Sequence, residues 1–464
     1  MSRKPCGRRT ATGIPSPPAR PTSACGWSGR PRPKQTIHPR GALRHPCLVR
    51  LIPLALTLAA ALTAETNTWP QWRGPQRTGE STGTPWPDSF GGLRPMWRVD
   101  LDKGYPGPIV SEAMVFVAET EKTETEVVRA LDRKTGKEIW RASWPGKISV
   151  PFFAKRNGDW IRATPAFDGR TLFVGGMEEV LVALDGKTGK ELWRVDFPKR
   201  FGTPKPEFGF SSSPLLDGNF LYVQAANSVV KLDKRTGETI WRALESKVTI
   251  MENGAFSSPV IGTVAGKRQL LAQTRTHLTG VDLDKGSVLW SIEVPHFRGM
   301  NILTPVVHGN SIVTSTHQNQ TFYYTVDSAG GEWKVGETWR NKAKGYMSTP
   351  VLYQGHIYMH LGNQRFTCID LATGESKWTT EPFGSYWSLV RRGEKIVALD
   401  ESGKLLLIRA NPEKFELLDQ REISNTAAWG HVAIVGDEIF VRELQGIAAY
   451  KWHAAPAPVA KPSE

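Results

Sequence analysis

Residues Asp132–Trp140 read DRKTGKEIW, and this phrase decides the fold because it returns. It recurs as DGKTGKELW over Asp185–Trp193, as DKRTGETIW over Asp233–Trp241 and as DLATGESKW over Asp370–Trp378. DLDKGSVLW over Asp282–Trp290 is a weaker copy, and Asp327–Trp339 is a degenerate one with a longer turn. Each copy follows a short apolar run, such as VLVAL over 180–184, that reads as a strand. Asp132, Asp185, Asp233, Asp282 and Asp370 can hydrogen-bond the backbone of the turn ahead, with the Thr of all but the Asp282 copy adding a second bond. Gly136, Gly189, Gly237, Gly286 and Gly374 supply the positive φ of a tight reversal. The returning strand ends in Trp140, Trp193, Trp241, Trp290 or Trp378. An indole has about 150–250 Å² to bury, which one strand pair cannot cover, so a neighbouring repeat must.

A second phrase alternates with the first: a small or polar residue, Pro, a few apolar residues and a turn. It appears at Thr164-Pro165, Ser213-Pro214, Ser258-Pro259, Thr304-Pro305 and Thr349-Pro350, with Gly107-Pro108 opening the series. Leu389 and Val432 keep the offset without the Pro. Each unit is thus four strands: A at the Pro phrase, B after its turn, C before the Asp and D carrying the Trp. The eight A strands are spaced 39–57 residues apart, which suits propeller blades. The last unit lacks its own D strand, and an orphan one, Met96–Asp100, precedes the first A strand. Pairing the two closes the ring and removes the open sheet edges. A solenoid or a pair of sandwiches would leave both ends unpaired. The expected fold is all-β: an eight-bladed propeller of four-stranded blades, closed by an N-terminal strand.

The net charge of +14 at first suggests a nucleic-acid partner. However, residues 1–64 hold eleven of the 59 basic residues and no acid, leaving 48 against 45 in the body. At a net of +3 the body offers no overall electrostatic case for binding nucleic acid. The uncharged stretch LIPLALTLAAALTA over 51–64 follows Arg44 and Arg50 and ends in small residues, the order of a secretory signal. It is too short for a permanent anchor. No Cys follows it, so a lipoprotein is not expected, and the body's one thiol, Cys368, has no internal partner. The expected division is 1–43 a disordered basic leader or an untranslated stretch, 44–64 a signal peptide, 65–95 an N-terminal extension, 96–453 the propeller and 454–464 a disordered tail. An exported protein follows, periplasmic or extracellular, with no transmembrane helix after signal cleavage.

The phrase Ala/Val-x-Asp-x-x-Thr-Gly-x-x-x-Trp resembles the pyrroloquinoline-quinone (PQQ) repeat family, over about residues 69–453. Three segments are similar to exported bacterial members of that group: WPQWRGP over 69–75, GAFSSP over 254–259 and GMNILTP over 299–305. The resemblance implies an eight-bladed ring. It points in two functional directions. PQQ-dependent alcohol and sugar dehydrogenases oxidise substrates through PQQ and Ca²⁺, and several use adjacent cysteines that this chain lacks. The BamB type of outer-membrane assembly factor is a non-enzymatic scaffold and is normally a lipoprotein.

The remaining motifs have structural readings. His356 and His360 sit in a B strand, where four residues span roughly 13 Å, too far for one ion. The acids at Asp100, Asp102, Asp282 and Asp284 coincide with repeat turns and are too few for a Ca²⁺ loop. No Walker loop, GxGxxG or GxSxG is present. No catalytic residue and no metal ligand is assigned.

In a propeller the D–A connections gather around the central channel on one face. The residues there that can hold a ligand are Tyr105, Arg162, Phe208, Phe210, Asn253, Phe256, Asn301, Tyr346, Tyr386, Trp387, Trp429 and His431. Plugging the channel and packing the blades is the favoured role for them, since sites are few and core roles common. The sequence favours a non-catalytic binding or scaffold module in the envelope, with an envelope protein or a small-molecule or carbohydrate ligand at this face. Under that reading no cofactor is assigned. PQQ and Ca²⁺ enter only under the second reading, an oxidoreductase acting on alcohols or sugars.

Overall fold

Residues 67–246 and 253–453 are described in a computed structural model of the chain. The leader, the signal-like stretch and the tail lie outside the described residues. The repeats fold into eight sheets of four antiparallel strands, an eight-bladed β-propeller. Blade 2 is representative, with A at Ala166–Phe167, B at Thr171–Gly176, C at Val180–Asp185 and D at Glu191–Asp196. Blade 8 takes A, B and C from Ala433–Val435, Glu438–Glu443 and Gly446–Trp452. Its D strand is Leu93–Asp100, running from Leu93 opposite Trp452 to Asp100 opposite Gly446. The chain thus closes its own ring, as the orphan D strand required.

The turn chemistry is that of the repeat. Asp185 Oδ1 accepts from the N–H groups of Lys187 and Thr188 and from the Thr188 hydroxyl, at 2.9–3.1 Å. Gly189 then takes φ 72°. The tryptophan of one blade lies on the turn of the next. Trp140 Nε1 donates to Gly186 O at 2.9 Å, and a Cβ on Gly189 would stand 2.5 Å from that indole. The same latch joins Trp97 to Arg133 O, Trp193 to Lys234 O, Trp241 to Leu283 O and Trp339 to Leu371 O. Trp290 is the exception. Its neighbour is the long hairpin of blade 5, which lacks the Asp-x-x-Thr-Gly turn, and its N–H turns back to Gln269 of its own blade at 2.7 Å.

Every C–D pair shifts register by one residue at the D-strand residue before the tryptophan position. In blades 1 to 3 these residues are Ile139, Leu192 and Ile240. The bulge raises the local twist and turns the following ring towards the neighbouring blade. It also leaves these three side chains about half exposed. The apolar core sits between blades, as where Phe116 and Trp140 of blade 1 meet Phe167 and Leu172 of blade 2. Among the described residues no helix is long and apolar enough to cross a membrane.

Candidate functional site

The Pro phrase has a role beyond starting a strand. Its hydroxyls link the blades around the channel. Gly107 N–H donates to Thr164 Oγ1, Thr164 N–H to Ser213 Oγ, Ser213 N–H to Ser258 Oγ, and Ser258 N–H to Thr304 Oγ1, at 2.9–3.2 Å. Thr304 N–H reaches Thr349 Oγ1 at 3.4 Å. The series ends at Thr349; in blade 7 Leu389 takes the place of the Pro and Ser388 that of the hydroxyl. There Ser388 accepts from Val432 N–H, in the opposite direction.

The segment after residue 67 crosses this ring. Trp69 pairs with Val110 of blade 1, and Phe167 N–H of blade 2 donates to Pro70 O. Gln71 accepts from Leu216 N–H of blade 3. Arg77 donates to Ser213 O and Pro214 O, and Arg73 donates to Thr349 O and Pro350 O. Ser81 N–H donates to Arg391 O of blade 7. Residues 69–81 therefore floor the channel against the innermost strands. Both guanidinium groups are buried, with Arg73 only 1 % exposed. Their hydrogen bonds go to carbonyls and no salt bridge to either is found among the described residues. Burial lowers the pKa of each to about 9, Arg73 adding to the effect at Arg77. Both remain cations at neutral pH.

Above this floor lies a cavity of about 580 Å³. All eight D–A connections line it, together with Trp72 of the floor and Arg275 of the B–C turn in blade 4. Of the twelve residues expected at this face, Tyr105, Arg162, Phe208, Phe256, Tyr346, Tyr386, Trp387, Trp429 and His431 line it. The other three do not. Phe210 packs inward on Phe197 and Gly175. Asn253 Nδ2 donates to Pro204 O and Lys205 O. Asn301 is buried with no partner for its side-chain amide among the described residues.

The aromatic rings fall into two arcs. One runs from Trp160 to Tyr105, Trp429, Tyr386, Tyr346, His317 and Phe297, each touching the next. Tyr105 and Trp429 stack at 4.7 Å and His317 meets Tyr346 at 4.4 Å. The other is all phenylalanine: Phe152, Phe153, Phe208 and Phe256, with the Arg275 guanidinium 4.6 Å over Phe256. Phe152 is 87 % exposed and Phe153 59 %. Solvent-facing phenylalanines at a cavity mouth are apolar surface that a partner can cover.

The charge of the cavity is one-sided. Arg162, Arg275 and Arg298 line it, with Arg73 and Arg77 beneath, and no Asp or Glu is among the lining residues. His431 faces it as a neutral ring. Desolvation, and then the Arg73 charge, pull its pKa down to about 3, while Nδ1 sits 2.9 Å from Val432 O. His356 and His360 stay in their strand. His360 stacks on Trp387 at 4.5 Å, and burial lowers its pKa to about 4. Among the described residues no group of three or more His, Cys, Asp or Glu could hold a metal ion.

Trp72, Phe153, Arg275, Phe297 and Arg298 were not expected at the cavity. Phe152 and Phe153 fall in the longest A-to-A interval, 57 residues, and that excess length was the available signal. Trp72 lies within WPQWRGP, where nothing local points to a channel floor.

The propeller fold has known relatives. The family model described as outer membrane protein assembly factor BamB matches residues 123–380. The chain is 21 % identical over 260 residues to the outer membrane protein assembly factor BamB of Yersinia pestis, covering 53 % of this chain and 63 % of that one. It thus spans less than two thirds of that relative's length. Among solved structures, BamB from Moraxella catarrhalis superposes with a TM-score of 0.55 at 12 % identity, covering 78 % of this chain and 99 % of that one. A quinohemoprotein alcohol dehydrogenase from Pseudomonas putida HK5 gives 0.60 at 13 % identity, covering 86 % and 82 %. At these identities the superpositions speak to the fold alone.

Proposed function

Because this chain belongs to the family of PQQ-like propellers described as outer membrane protein assembly factor BamB, we propose that it is a non-catalytic binding module of the cell envelope, with the floored cavity as its ligand face. The observation that carries this reading is the donor set. The fold family also contains quinoproteins, so a PQQ group over Ca²⁺ has to be tested against the residues present. Ca²⁺ takes six to eight oxygen ligands, carboxylates prominent among them. The lining offers hydroxyls, aromatic rings and three arginines, and no carboxylate. Cations lining the site would repel the metal. The residues do not fit a Ca²⁺-borne quinone.

The one-way funnel, the exposed phenylalanines at its mouth and the names of the relatives support recognition of another envelope component. Export through a cleaved signal ahead of residue 65 belongs to the same proposal. The test is a titration of purified protein with PQQ in the presence and absence of Ca²⁺, followed by tryptophan fluorescence and by dye-linked oxidation of alcohols and sugars. The proposal expects no Ca²⁺-dependent gain in PQQ affinity and no turnover. Stoichiometric, Ca²⁺-dependent binding with turnover overturns it.

A further inference from the structure

The hydroxyl ring has spare capacity. Each of Thr164, Ser213, Ser258, Thr304 and Thr349 accepts a backbone N–H through its oxygen. Each also carries a proton of its own. Among the described residues none of these five hydroxyls donates that proton to a protein acceptor. All five line the cavity, so an annulus of O–H donors faces the space above Trp72. Below it lie the Arg73 and Arg77 guanidinium groups, 5.6 and 5.4 Å from the Trp72 ring centre, with no carboxylate paired to either among the described residues. Half-buried Arg162 adds a third cation from the wall, its Nε without a partner among the described residues.

Donors and positive charge converging in a low-dielectric site select an anion. The shape restricts it further. Residues 69–81 close the channel, so the funnel is blind and a chain cannot thread it. Only a chain end or a small molecule reaches the floor. The wall above is the phenylalanine arc, which accepts an apolar group carried next to the anion.

We propose that the funnel binds a carboxylate borne on an apolar or aromatic group, the carboxylate seated against the hydroxyl ring and the apolar group against Phe153, Phe208 and Phe256. Two sources share this chemistry: the C-terminal end of a peptide, and a free small acid. The inference rests on the cavity being a binding face.

Calorimetric titration of the full chain with three probes tests it: a pentapeptide ending in phenylalanine as free acid, the same peptide as C-terminal amide, and N-acetylphenylalanine. The free acid should bind about tenfold or more tighter than the amide, the scale of hydrogen bonds to a charged group. Preference for the peptide acid over N-acetylphenylalanine assigns the site to a chain end. Equal binding of the two assigns it to a free acid. Arg162→Met should cut the acid-over-amide preference about fivefold, and Arg298→Gln, at the exposed rim, keeps the test open if the first variant folds poorly. Equal affinity for acid and amide, no acid binding up to about 1 mM, or a preference untouched in both variants overturns the proposal. Those results remove the anion and leave a binding role standing, whereas PQQ turnover removes the binding role itself.

Discussion

At Gly189 two requirements meet: φ is 72°, and a Cβ would stand 2.5 Å from the Trp140 indole of the preceding blade. Gly218 also has positive φ, 56°, but open space around it. Gly189→Ala should therefore cost about 3 kcal/mol, from backbone strain plus overpacking, and Gly218→Ala about 1 kcal/mol. Urea unfolding of the two variants separates packing from backbone. Glu179 gives a second residue-scale prediction. It is buried between blades 2 and 3, where Oε2 accepts from Ala226 N–H at 3.0 Å, and burial raises its pKa to about 7. The folded state thus resists ionisation that the unfolded chain undergoes near 4.5. Stability is full below that value and falls as pH rises through about 7, by roughly 3 kcal/mol at most. Glu126, also raised to about 7 by burial, adds a slope of the same sign. Glu179→Gln should melt higher than the parent at pH 8 and show a flatter pH profile between 5 and 8. An equal slope in calorimetry would count against the assignment.

The four-strand blade was legible in the sequence because its signals are local. Asp, Gly and Trp recur at fixed offsets, and each has a role within a hairpin or on the adjacent turn. Even the exception was visible, since the degenerate copy at Asp327–Trp339 is the one that leaves Trp290 without a neighbouring turn. The ring of hydroxyls was half legible. Ser or Thr before Pro was plain, but an N–H donating to the next blade's hydroxyl, 45 to 57 residues away in sequence, leaves no local mark. The floor was not legible. Arg73 and Arg77 act on carbonyls 136 to 277 residues away, and a backbone carbonyl has no sequence signature. The ring itself makes a prediction. Thr304→Val preserves shape but leaves Ser258 N–H without its acceptor, at a cost of about 1–3 kcal/mol. Thr304→Ser should restore most of that in thermal unfolding.

On the scale of the molecule, closure and flooring are one construction. The strand Leu93–Asp100 completes blade 8, and the segment before it spans the channel that closure creates. A variant lacking Leu93–Asp100 exposes the edge of Gly446–Trp452 and uncovers the Gly136 turn beneath Trp97. It should lose single-transition unfolding and self-associate in size-exclusion chromatography, since unpaired edges template association. Closure also separates two faces. The D–A connections carry the cavity and the exposed phenylalanines, and the Asp-x-x-Thr-Gly turns lie at the opposite ends of the strands.

We place the meeting of this protein with its ligand at the funnel. The direct measurement places a photo-crosslinking residue at Phe152, on the funnel mouth, or at Lys187, on the far face, in cells of the source organism. Position 152 should give a discrete adduct, suppressed by Arg162→Met, and position 187 none. A discrete adduct from 187 with none from 152 would contradict that placement.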